Sequence, residues 1–219
     1  MDTRIDSKTP PARGRSRASG LTRADILAVA TKEFADHGLS GARIDRIAAL
    51  MRTSKRMIYY YFGSKEGLYL AVLEKAYADI RAVEATLPLD ALDPVEALRR
   101  LVEQTFESDD ANGDFVRLVA IESIHLGAHF DKAAALRAAN SGVIDTINKI
   151  LKRGKALKLF RDDLDATDIH MTISALCFFR VSNRHTFGKI FNVDLSGPVR
   201  RRKHKRMIAD AVIHLVRKN

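Results

Sequence analysis

Residues 43–62, RIDRIAALMRTSKRMIYYYF, decide the fold of the N-terminal part of this chain. Four apolar residues in the first half recur at the spacing of one helix face: Ile44, Ile47, Ala48 and Met51. After a break at residues 52–54, Ser54 is placed to cap a second helix. Three residues of that second helix share its inward face: Ile58, Tyr61 and Phe62. Two short helices joined by a tight turn predict a helix-turn-helix.

The outward face of the second helix carries residue types that contact nucleic acids: Lys55, Arg56, Met57, Tyr59 and Tyr60. Long cations and phenol hydroxyls suit phosphate oxygens and base edges, and an α-helix fits the major groove of DNA. The alternative is a helical hairpin with a solvated basic face. Between the two, the pattern favours DNA binding.

The charge of the chain is concentrated at its two ends, and the net charge of its 219 residues is +10. Residues 1–65 hold 13 Lys and Arg against 6 Asp and Glu, which is a basic excess. Residues 66–199 hold 16 against 20, and residues 200–219 hold 8 against 1. A basic head and a basic tail therefore flank a slightly acidic body, which indicates that one end meets a polyanion.

The composition excludes several classes of protein. Apolar types make up 46% of the residues, which is enough for a buried core. The single cysteine, Cys177, excludes an internal disulfide framework and Cys-rich zinc sites, and we interpret it as a buried apolar residue. No apolar run reaches the roughly 18 residues of a membrane span, and the N-terminus lacks the apolar segment of a secretory signal. We therefore expect no membrane association and a cytoplasmic location.

The rest of the chain also predicts helices. Residues 1–20 are rich in Ser, Thr, Pro, Gly and Arg and predict a flexible arm. Thr22 with Asp25 predicts the N-cap of a first helix, which Gly38 would end. Three further residues are placed to cap later helices: Ser64, Asp93 and Asp165. Further helices are predicted at about 115–130, 132–155, 165–183 and 196–217. Because no segment shows sustained period-2 alternation, the predicted fold class is all-α.

The helix-turn-helix and the residues beside it resemble the tetracycline-repressor (TetR) family. The DNA-binding domain of that family reads Ile-Ala, then Val-Ser, Tyr-x-Tyr-Phe and Ser-Lys-Glu-x-Leu, which this chain approaches at 47–48, 53–54, 59–62 and 64–68. The preceding helix ends Phe34-Ala-Asp-His-Gly38, also as in the family. The likeness covers about residues 22–72, and the combination is highly specific. It implies a basic arm at 1–20, a DNA-binding domain at 21–66 and an effector-binding and dimerisation domain at 67–219.

The resemblance implies a role for each matching residue. Arg43, Tyr59 and Lys65 would bind phosphate oxygens, Lys65 with help from the N-terminus of the fourth helix. The turn would hold Thr53 and Ser54. The residues facing the groove would be Lys55, Arg56, Met57 and Tyr60. Three arginines of the arm would reach the adjacent minor groove, the alternative being a solvated tail: Arg13, Arg15 and Arg17.

Three departures from the family pattern change the expectations. Ala42 stands where the family often has Thr or Ser as the cap of the second helix, so either Ser40 substitutes or the helix start frays. Arg52 stands at a turn position that commonly holds Gly, and a positive φ there would be strained. Arg56 replaces a small residue, which adds an arginine able to read guanine. We therefore expect an operator of the protein's own.

Two C-terminal segments are too apolar for helices with one core-facing stripe. Residues 171–179 are apolar on nearly all sides, and the last helix has a wide apolar stripe. Two such helices from each of two subunits would form a four-helix interface containing Met171, Ala175, Arg180, Met207, Ala211 and Leu215. The alternative is a monomer that buries both helices in its own core. A homodimer on a palindromic operator is favoured because paired half-sites multiply specificity.

Polar and aromatic residues on the apolar helix stripes are candidate contacts for a small-molecule effector. They are Phe106, Phe115, Glu122, His125, Asn140, Ile144, Phe178 and Phe179. The alternative for any one of them is a satisfied internal hydrogen-bond network. Glu122, His125 and His129 could also bind a metal on one helix face, but a metal needs further ligands, so we expect neither metal nor cofactor. Residues 178–191 resemble a branch of the family that regulates aromatic and nitrogen-heterocycle catabolism, which implies an effector of that kind.

Three functions remain open at the level of the sequence. The first is a transcriptional regulator, in this family most often a repressor, that an effector releases from double-stranded DNA. The second is a DNA-binding factor without an effector. The third, a helical metal-dependent enzyme, is remote because no nucleophile elbow, phosphate loop or complete metal motif is present.

The basic run at residues 200–206 also has two interpretations. We interpret it as a solvated helix face that meets acids of the other subunit, such as Asp162, Asp163 or Asp165. The alternative is a second contact with nucleic acid.

Overall fold

The computed structural model describes residues 22–130 and 134–218, and for residues 134–139 the backbone alone. Within these residues the architecture is helical, and apart from one bridge between Phe160 and Arg217 no strand pairing forms. The α-helices are α1 (Arg23–Gly41), α2 (Ile44–Leu50), α3 (Lys55–Phe62), α4 (Lys65–Ala85), α5 (Pro94–Ala111), α6 (Gly113–Ile124), α7 (Ala134–Ala156), α8 (Ala166–Ser182), α9 (Arg184–Phe191) and α10 (Pro198–Val216). The predicted all-α fold is confirmed. The arm arginines Arg13, Arg15 and Arg17 lie outside the described residues.

Local capping signals determine where several helices begin. The Thr22 hydroxyl accepts from the Asp25 backbone N–H, and the Asp25 carboxylate accepts from the Thr22 backbone N–H, which is the predicted capping box. At the starts of α3, α4, α5 and α8 the predicted cap side chain accepts a hydrogen bond from a backbone N–H of the first turn. These caps are Ser54, Ser64, Asp93 and Asp165. Each cap satisfies an amide that would otherwise have no helical partner.

The helices α1 to α4 surround an N-terminal core, which α6 completes with Leu118. Its fully buried side chains include Ile26, Ala30, Phe34, Ile47, Ile58, Leu68 and Tyr69. The rings of Phe34 and Tyr69 meet edge to face with centroids 4.9 Å apart. Because α2 and α3 have only seven and eight residues, this packing stabilises them more than helix propensity does.

A second, C-terminal core lies among α5, α7, α8 and α10. Its buried side chains include Leu98, Leu101, Phe106, Ile147, Phe160, Ile173 and Val212. Cys177 lies in this core as predicted, and burial raises the pKa of its thiol to about 12. In the described part of the chain, no helix is both long and apolar enough to cross a membrane.

The structure differs from the predicted helices in three places. The sixth helix was predicted to reach residue 130, but α6 ends at Ile124 because Leu126 and Gly127 take left-handed φ values of 58° and 70°. The short helix α9 was not predicted. Gly38 takes φ 64° as a helix stop would, yet one further helical turn follows it within α1.

Candidate nucleic-acid interface and ligand cavity

The helix α3 is anchored by one side chain and exposes most of the others. Ile58 is fully buried, whereas Phe62 is half-buried and Tyr61 is more exposed than predicted. The solvent side holds the residues predicted to face or flank the groove: Lys55, Arg56, Met57, Tyr59 and Tyr60. Tyr60 is the most exposed of the three apolar or aromatic members, at 78%. The helix therefore presents two cations and two phenols to solvent.

The turn between α2 and α3 has the strained backbone that the sequence suggested. Arg52 adopts φ 51°, a value that favours glycine. For a residue with a side chain this costs about 1–2 kcal/mol. The backbone N–H of Thr53 donates to the carbonyl of Ala48 at 3.0 Å, and the Ser54 hydroxyl accepts from Met57 N–H at 3.3 Å. These bonds on either side hold the turn in place.

A buried carboxylate on α1, that of Glu33, supports the start of α2. Its Oε1 accepts from the Arg43 backbone N–H at 3.1 Å, and its Oε2 lies 3.4 Å from Nε of Arg46. The alternative of a cap by Ser40 was wrong, because no side chain caps the first turn of α2 and its N-cap residue is Arg43. The Arg43 side chain remains exposed. The sequence signal that we missed was an acidic residue on the core-facing side of α1.

Two of the cations predicted to meet DNA have partners within the chain. Nζ of Lys55 lies 2.5 Å from Oδ1 of Asp45, and Nζ of Lys65 donates to the Ser40 carbonyl at 3.2 Å. Both contacts are exposed and contribute little to stability, so a phosphate can replace them. Arg56 is exposed and has no ion pair with any described residue.

The basic run at the start of α10 meets acids of its own chain. Arg201 pairs with the carboxylates of Glu107 and Asp110, and Nζ of Lys205 donates to Oε1 of Glu107 at 2.9 Å. The acids named from the sequence are engaged elsewhere: Asp162 with Lys218, Asp163 with Arg161 and Asp165 at the start of α8. Arg201 and Lys205 are therefore not solvated as predicted, because their pairing acids lie on α5, about 90 residues away in sequence. The cations at 200, 202, 203 and 206 are exposed as predicted.

Arg180 lies inside the chain and not on the predicted dimer seam. Its buried guanidinium pairs with Asp110, donates to the Leu195 carbonyl at 2.9 Å and lies 4.6 Å from the ring centroid of Phe106. Phe106, predicted as a wall of the effector pocket, is part of the C-terminal core instead. Both predictions were wrong because α5 and α8 pack directly against each other at this point.

The other residues predicted for the dimer interface lie on an exposed apolar face. They are Met171, Ala175, Met207, Ala211 and Leu215, from α8 and α10. The helix α9 extends this face with Phe187, Ile190 and Phe191. Phe179 also faces outward beside Phe187 and does not line the cavity among α4 to α8. Exposed apolar faces of this extent mark surfaces for protein association.

A cavity of about 240 Å³ lies among α4, α5, α6, α7 and α8. Its lining brings together three residues predicted for an effector: Phe115, Asn140 and Phe178. The sequence did not single out the rest of the lining, which includes Tyr77, Arg81, Glu84, Asp109, His170 and Ser174. These residues come from three different helices, so spacing along any one helix could not show that they meet.

Four ionisable groups in this lining influence one another. Arg81 donates to Glu84 at 2.5 Å, and burial raises the pKa of Glu84 against the opposing effect of Arg81. Burial, together with the charge of Glu84, raises the pKa of Asp109 to about 7. Burial and the charge of Arg81 lower the pKa of His170. The cavity therefore holds the contact between Arg81 and Glu84, an imidazole whose neutral form is favoured, and a carboxyl group with a pKa near neutral pH.

A second opening of about 350 Å³ adjoins the cavity between α4, α5 and α7. It shares Arg81 and Glu84 with the cavity, and its other lining residues are Ala85, Leu101, Gly142, Val143 and Thr146. The ion pair between Arg81 and Glu84 therefore stands between the two spaces.

Glu122, His125 and Ile144 do not line the cavity. Glu122 is buried, accepts from the Tyr69 hydroxyl at 2.6 Å and lies 3.0 Å from Nδ1 of His129; burial and this bond raise the pKa of Tyr69. His125 is exposed where α6 ends, and Ile144 packs on the C-terminal core. The alternative of a metal site required Glu122, His125 and His129 to lie on one helix, but α6 ends before His129. Among the described residues no three His, Cys, Asp or Glu side chains converge as metal ligands.

The helices α4 and α6 connect the cavity with the N-terminal core. The first turns of α4 pack beside α3, and its second half carries Arg81 and Glu84 into the cavity. In α6, Phe115 lines the cavity, while Nε of Arg117 donates to the carbonyl of Ala35 on α1 at 3.0 Å. Both helices therefore join the cavity lining to helices of the N-terminal core.

A short helix, α2, followed after a tight turn by an exposed polar helix, α3, is the arrangement found in DNA-binding proteins of the helix-turn-helix class. Residues 26–72 match the family described as bacterial regulatory proteins, tetR family. Residues 94–212, more than half of the chain, match the tetracyclin repressor-like C-terminal domain. The chain belongs to the tetracycline-repressor family of regulators of transcription, as its sequence motif implied.

Similar proteins extend this likeness across most of the chain. The HTH-type transcriptional repressor NicS of Pseudomonas putida is 41% identical over 182 residues, which cover 83% of this chain and 86% of NicS. The HTH-type transcriptional repressor SCO4008 of Streptomyces coelicolor is 38% identical over 112 residues, or 51% of this chain and 55% of SCO4008. The solved structure of SCO4942 from Streptomyces coelicolor superposes with a TM-score of 0.68 at 30% identity, covering 90% of this chain and 98% of that one.

Proposed function

We propose that this protein is a transcriptional repressor that binds a palindromic operator in double-stranded DNA as a homodimer and leaves it when a small-molecule effector binds. The DNA-binding domain is assigned to residues 21–66 and the effector-binding body to residues 67–219. The observation that carries the proposal is the geometry of α3. Buried Ile58 fixes this helix, while Lys55, Arg56 and Tyr60 project together into solvent.

In the operator complex, α3 enters the major groove. Arg56 reads a base edge, for which guanine is the best partner of an arginine, beside Lys55, Met57 and Tyr60. Phosphate oxygens are bound by Arg43, Tyr59 and Lys65, with Thr53 and Ser54 at the turn. Lys55 and Lys65 exchange their exposed protein partners for DNA. The arm arginines Arg13, Arg15 and Arg17 extend the contact into the minor groove.

The homodimer forms through the exposed apolar face of α8, α9 and α10. Met171, Ala175, Met207, Ala211 and Leu215 are already solvent-facing in the single chain, so pairing two copies buries them without repacking the core. A two-fold axis through this interface places two copies of α3 on half-sites separated by about 34–36 Å or a multiple of it. Specificity then comes from both half-sites together.

The effector binds in the cavity among α4 to α8 and acts through α4 and α6. Both helices contact the cavity and the N-terminal core, so a ligand that favours one arrangement of them changes the population able to bind DNA. The direction of control, repression, is supported by the relatives NicS and SCO4008, which are both named repressors.

Binding to DNA from the region upstream of the protein's own gene tests the proposal. In a gel shift with competitor DNA, Arg56→Ala and Tyr60→Ala should each weaken the complex, because each removes a side chain from the exposed face of α3. Lys152→Ala, which removes an exposed cation from α7, serves as the control and should bind as the unmodified protein does. Unchanged binding in both α3 variants would overturn the proposal.

A further inference from the structure

Asp109 is a buried carboxyl group that faces the cavity, and its side chain has no hydrogen-bond partner among the described residues. The residue is only 7% exposed, lies on α5 and forms part of the cavity wall. Among the described residues none donates a hydrogen bond or forms an ion pair to its carboxylate, whereas its neighbour Asp110 pairs with both Arg180 and Arg201. A buried, unpaired carboxylate is unfavourable, so this group gains from any ligand that brings a donor.

The charges around Asp109 determine whether an anionic or a cationic ligand is favoured. Arg81 is the one cation in the described lining; its Nη1 pairs with Glu84, while its buried Nε has no hydrogen-bond partner among the described residues. His170 is held neutral because burial and Arg81 lower its pKa. An anionic effector would meet the carboxyl groups of Glu84 and Asp109 and a guanidinium that is paired with Glu84. A cationic effector would meet Asp109, whose carboxyl group has no partner among the described residues.

The walls and the volume of the cavity indicate the shape and size of the ligand. The rings of Tyr77 and Phe115 stand edge to face with centroids 5.0 Å apart, and Phe178 adds a third ring. Aromatic faces attract both flat rings and cationic nitrogen groups. A volume of about 240 Å³ is at the small end of ligand cavities and suits a compound with one or two rings.

We propose that Asp109 anchors the effector, and that the effector is a small aromatic or heteroaromatic compound carrying a cationic nitrogen, such as an amine or an amidine. The nitrogen donates to the Asp109 carboxylate while the ring lies between Phe115 and Phe178. This assignment rests on the proposed function, because it names the class of ligand for the same cavity.

The proposal gives ligand binding a defined dependence on pH. The charged or titratable groups that face Asp109 are Arg81, Glu84, Tyr77, His170 and Cys177. Because the pKa of Asp109 is raised to about 7, the carboxyl group is protonated below that pH and ionised above it. A cation binds the ionised form, so affinity should rise about tenfold per pH unit below 7 and then level off.

Calorimetric titration of the full-length protein with three cationic probes and one anion tests the assignment. The cations are benzamidine, benzylamine and 3-aminomethylpyridine, and the anion is benzoate. At least one cation should bind, benzoate should not, and Asp109→Asn should weaken the cation by about 10- to 100-fold. The control Asp79→Asn removes an exposed carboxylate of α4 and should leave binding unchanged. Asp109→Asn is nearly isosteric, and its melting temperature checks that it folds.

Each other outcome contradicts the assignment. The proposal is overturned if none of the three cations binds, if Asp109→Asn binds them as well as the unmodified protein does, or if benzoate binds instead. The pH profile of the unmodified protein gives a test that needs no variant, and an affinity that falls from pH 5 to 7 would also overturn it. Operator binding without any probe is measured in parallel: if it persists, only the ligand assignment has failed, and if it is absent the proposed function has failed.

Discussion

Two helices of this protein carry basic surfaces, and their surroundings differ. On α3, Arg56 projects into solvent and has no ion pair with a described residue. At the start of α10, Arg201 and Lys205 turn back onto acids of α5, and Arg201 pairs there with Asp110. Similar clusters of Lys and Arg therefore differ in how far acids of the same chain neutralise them. The number of cations in a segment does not separate them, but the burial of their acidic partners does: Lys55 of α3 meets the exposed Asp45, whereas Arg201 meets the largely buried Asp110.

The acid beneath α10 should have the largest effect on stability. Asp110→Ala leaves the buried guanidinium of Arg180 with the Leu195 carbonyl as its remaining hydrogen-bond partner and leaves Arg201 paired with Glu107 alone. We expect the free energy of unfolding to fall by about 3–5 kcal/mol, the range for breaking a buried ion pair. Urea denaturation measures this, with Asp162→Ala, an exposed acid paired with Lys218, as the control. A loss no larger than that of the control would mean that the α10 cluster is not structural.

The next largest effect should be on DNA binding through α3. Arg56→Ala should weaken operator binding by about 1–3 kcal/mol, because a base-reading arginine is worth that much in discrimination. Its melting temperature should not change, since the side chain is exposed. Fluorescence anisotropy with labelled operator measures the affinity. Equal loss on operator and random DNA would show instead that Arg56 binds only phosphate.

A smaller effect should come from the acid that supports the helix-turn-helix. In Glu33→Gln the amide oxygen still accepts from the Arg43 N–H, but the attraction to Arg46 is lost. We expect a loss of about 1 kcal/mol in the free energy of unfolding and a weakening of operator binding by a few fold. Denaturation and anisotropy on the same sample measure both. Reduced stability with full DNA affinity would separate Glu33 from the interface.

The smallest effect should come from the exposed cations of α10. Arg202 is exposed and lies beside the cluster that Asp110 organises. Arg202→Ala should change operator affinity by less than about 0.5 kcal/mol, as expected of surface substitutions away from an interface. Anisotropy at low salt is the most sensitive measurement. A loss comparable to that of Arg56→Ala would restore the alternative in which residues 200–206 contact nucleic acid.

The DNA-binding part could be predicted closely because its signals are local. The caps Thr22, Ser54 and Ser64 each act within the first turn of their own helix. Ile47, Ile58 and the outward residues of α3 follow from short spacings within α2 and α3. The exception was Glu33, which acts on a backbone amide ten residues away. Only packing of α2 on α1 brings the two together.

The body was predicted less well because its site depends on packing between distant helices. Phe115, Asn140 and Phe178 were placed in the cavity, but Arg81 and Asp109 were not. A charged residue on a predicted helix is normally exposed, and nothing near Arg81 or Asp109 in sequence shows that they meet. The end of α6 was hidden as well, because leucine rarely takes the positive φ that Leu126 adopts.

The salt dependence of operator binding tests most directly whether α3, and not α10, is the basic surface that contacts DNA. The affinities of the unmodified protein, the α3 double variant Arg56→Ala/Lys55→Ala and the α10 double variant Arg202→Ala/Lys203→Ala are measured across a series of salt concentrations. Each cation lost from the interface with DNA reduces counterion release and therefore lowers the slope of log affinity against log salt, by about 1 for a direct phosphate contact. We expect a smaller slope and a weaker complex for the α3 variant alone. An unchanged slope for the α3 variant together with a reduced slope for the α10 variant would contradict this expectation.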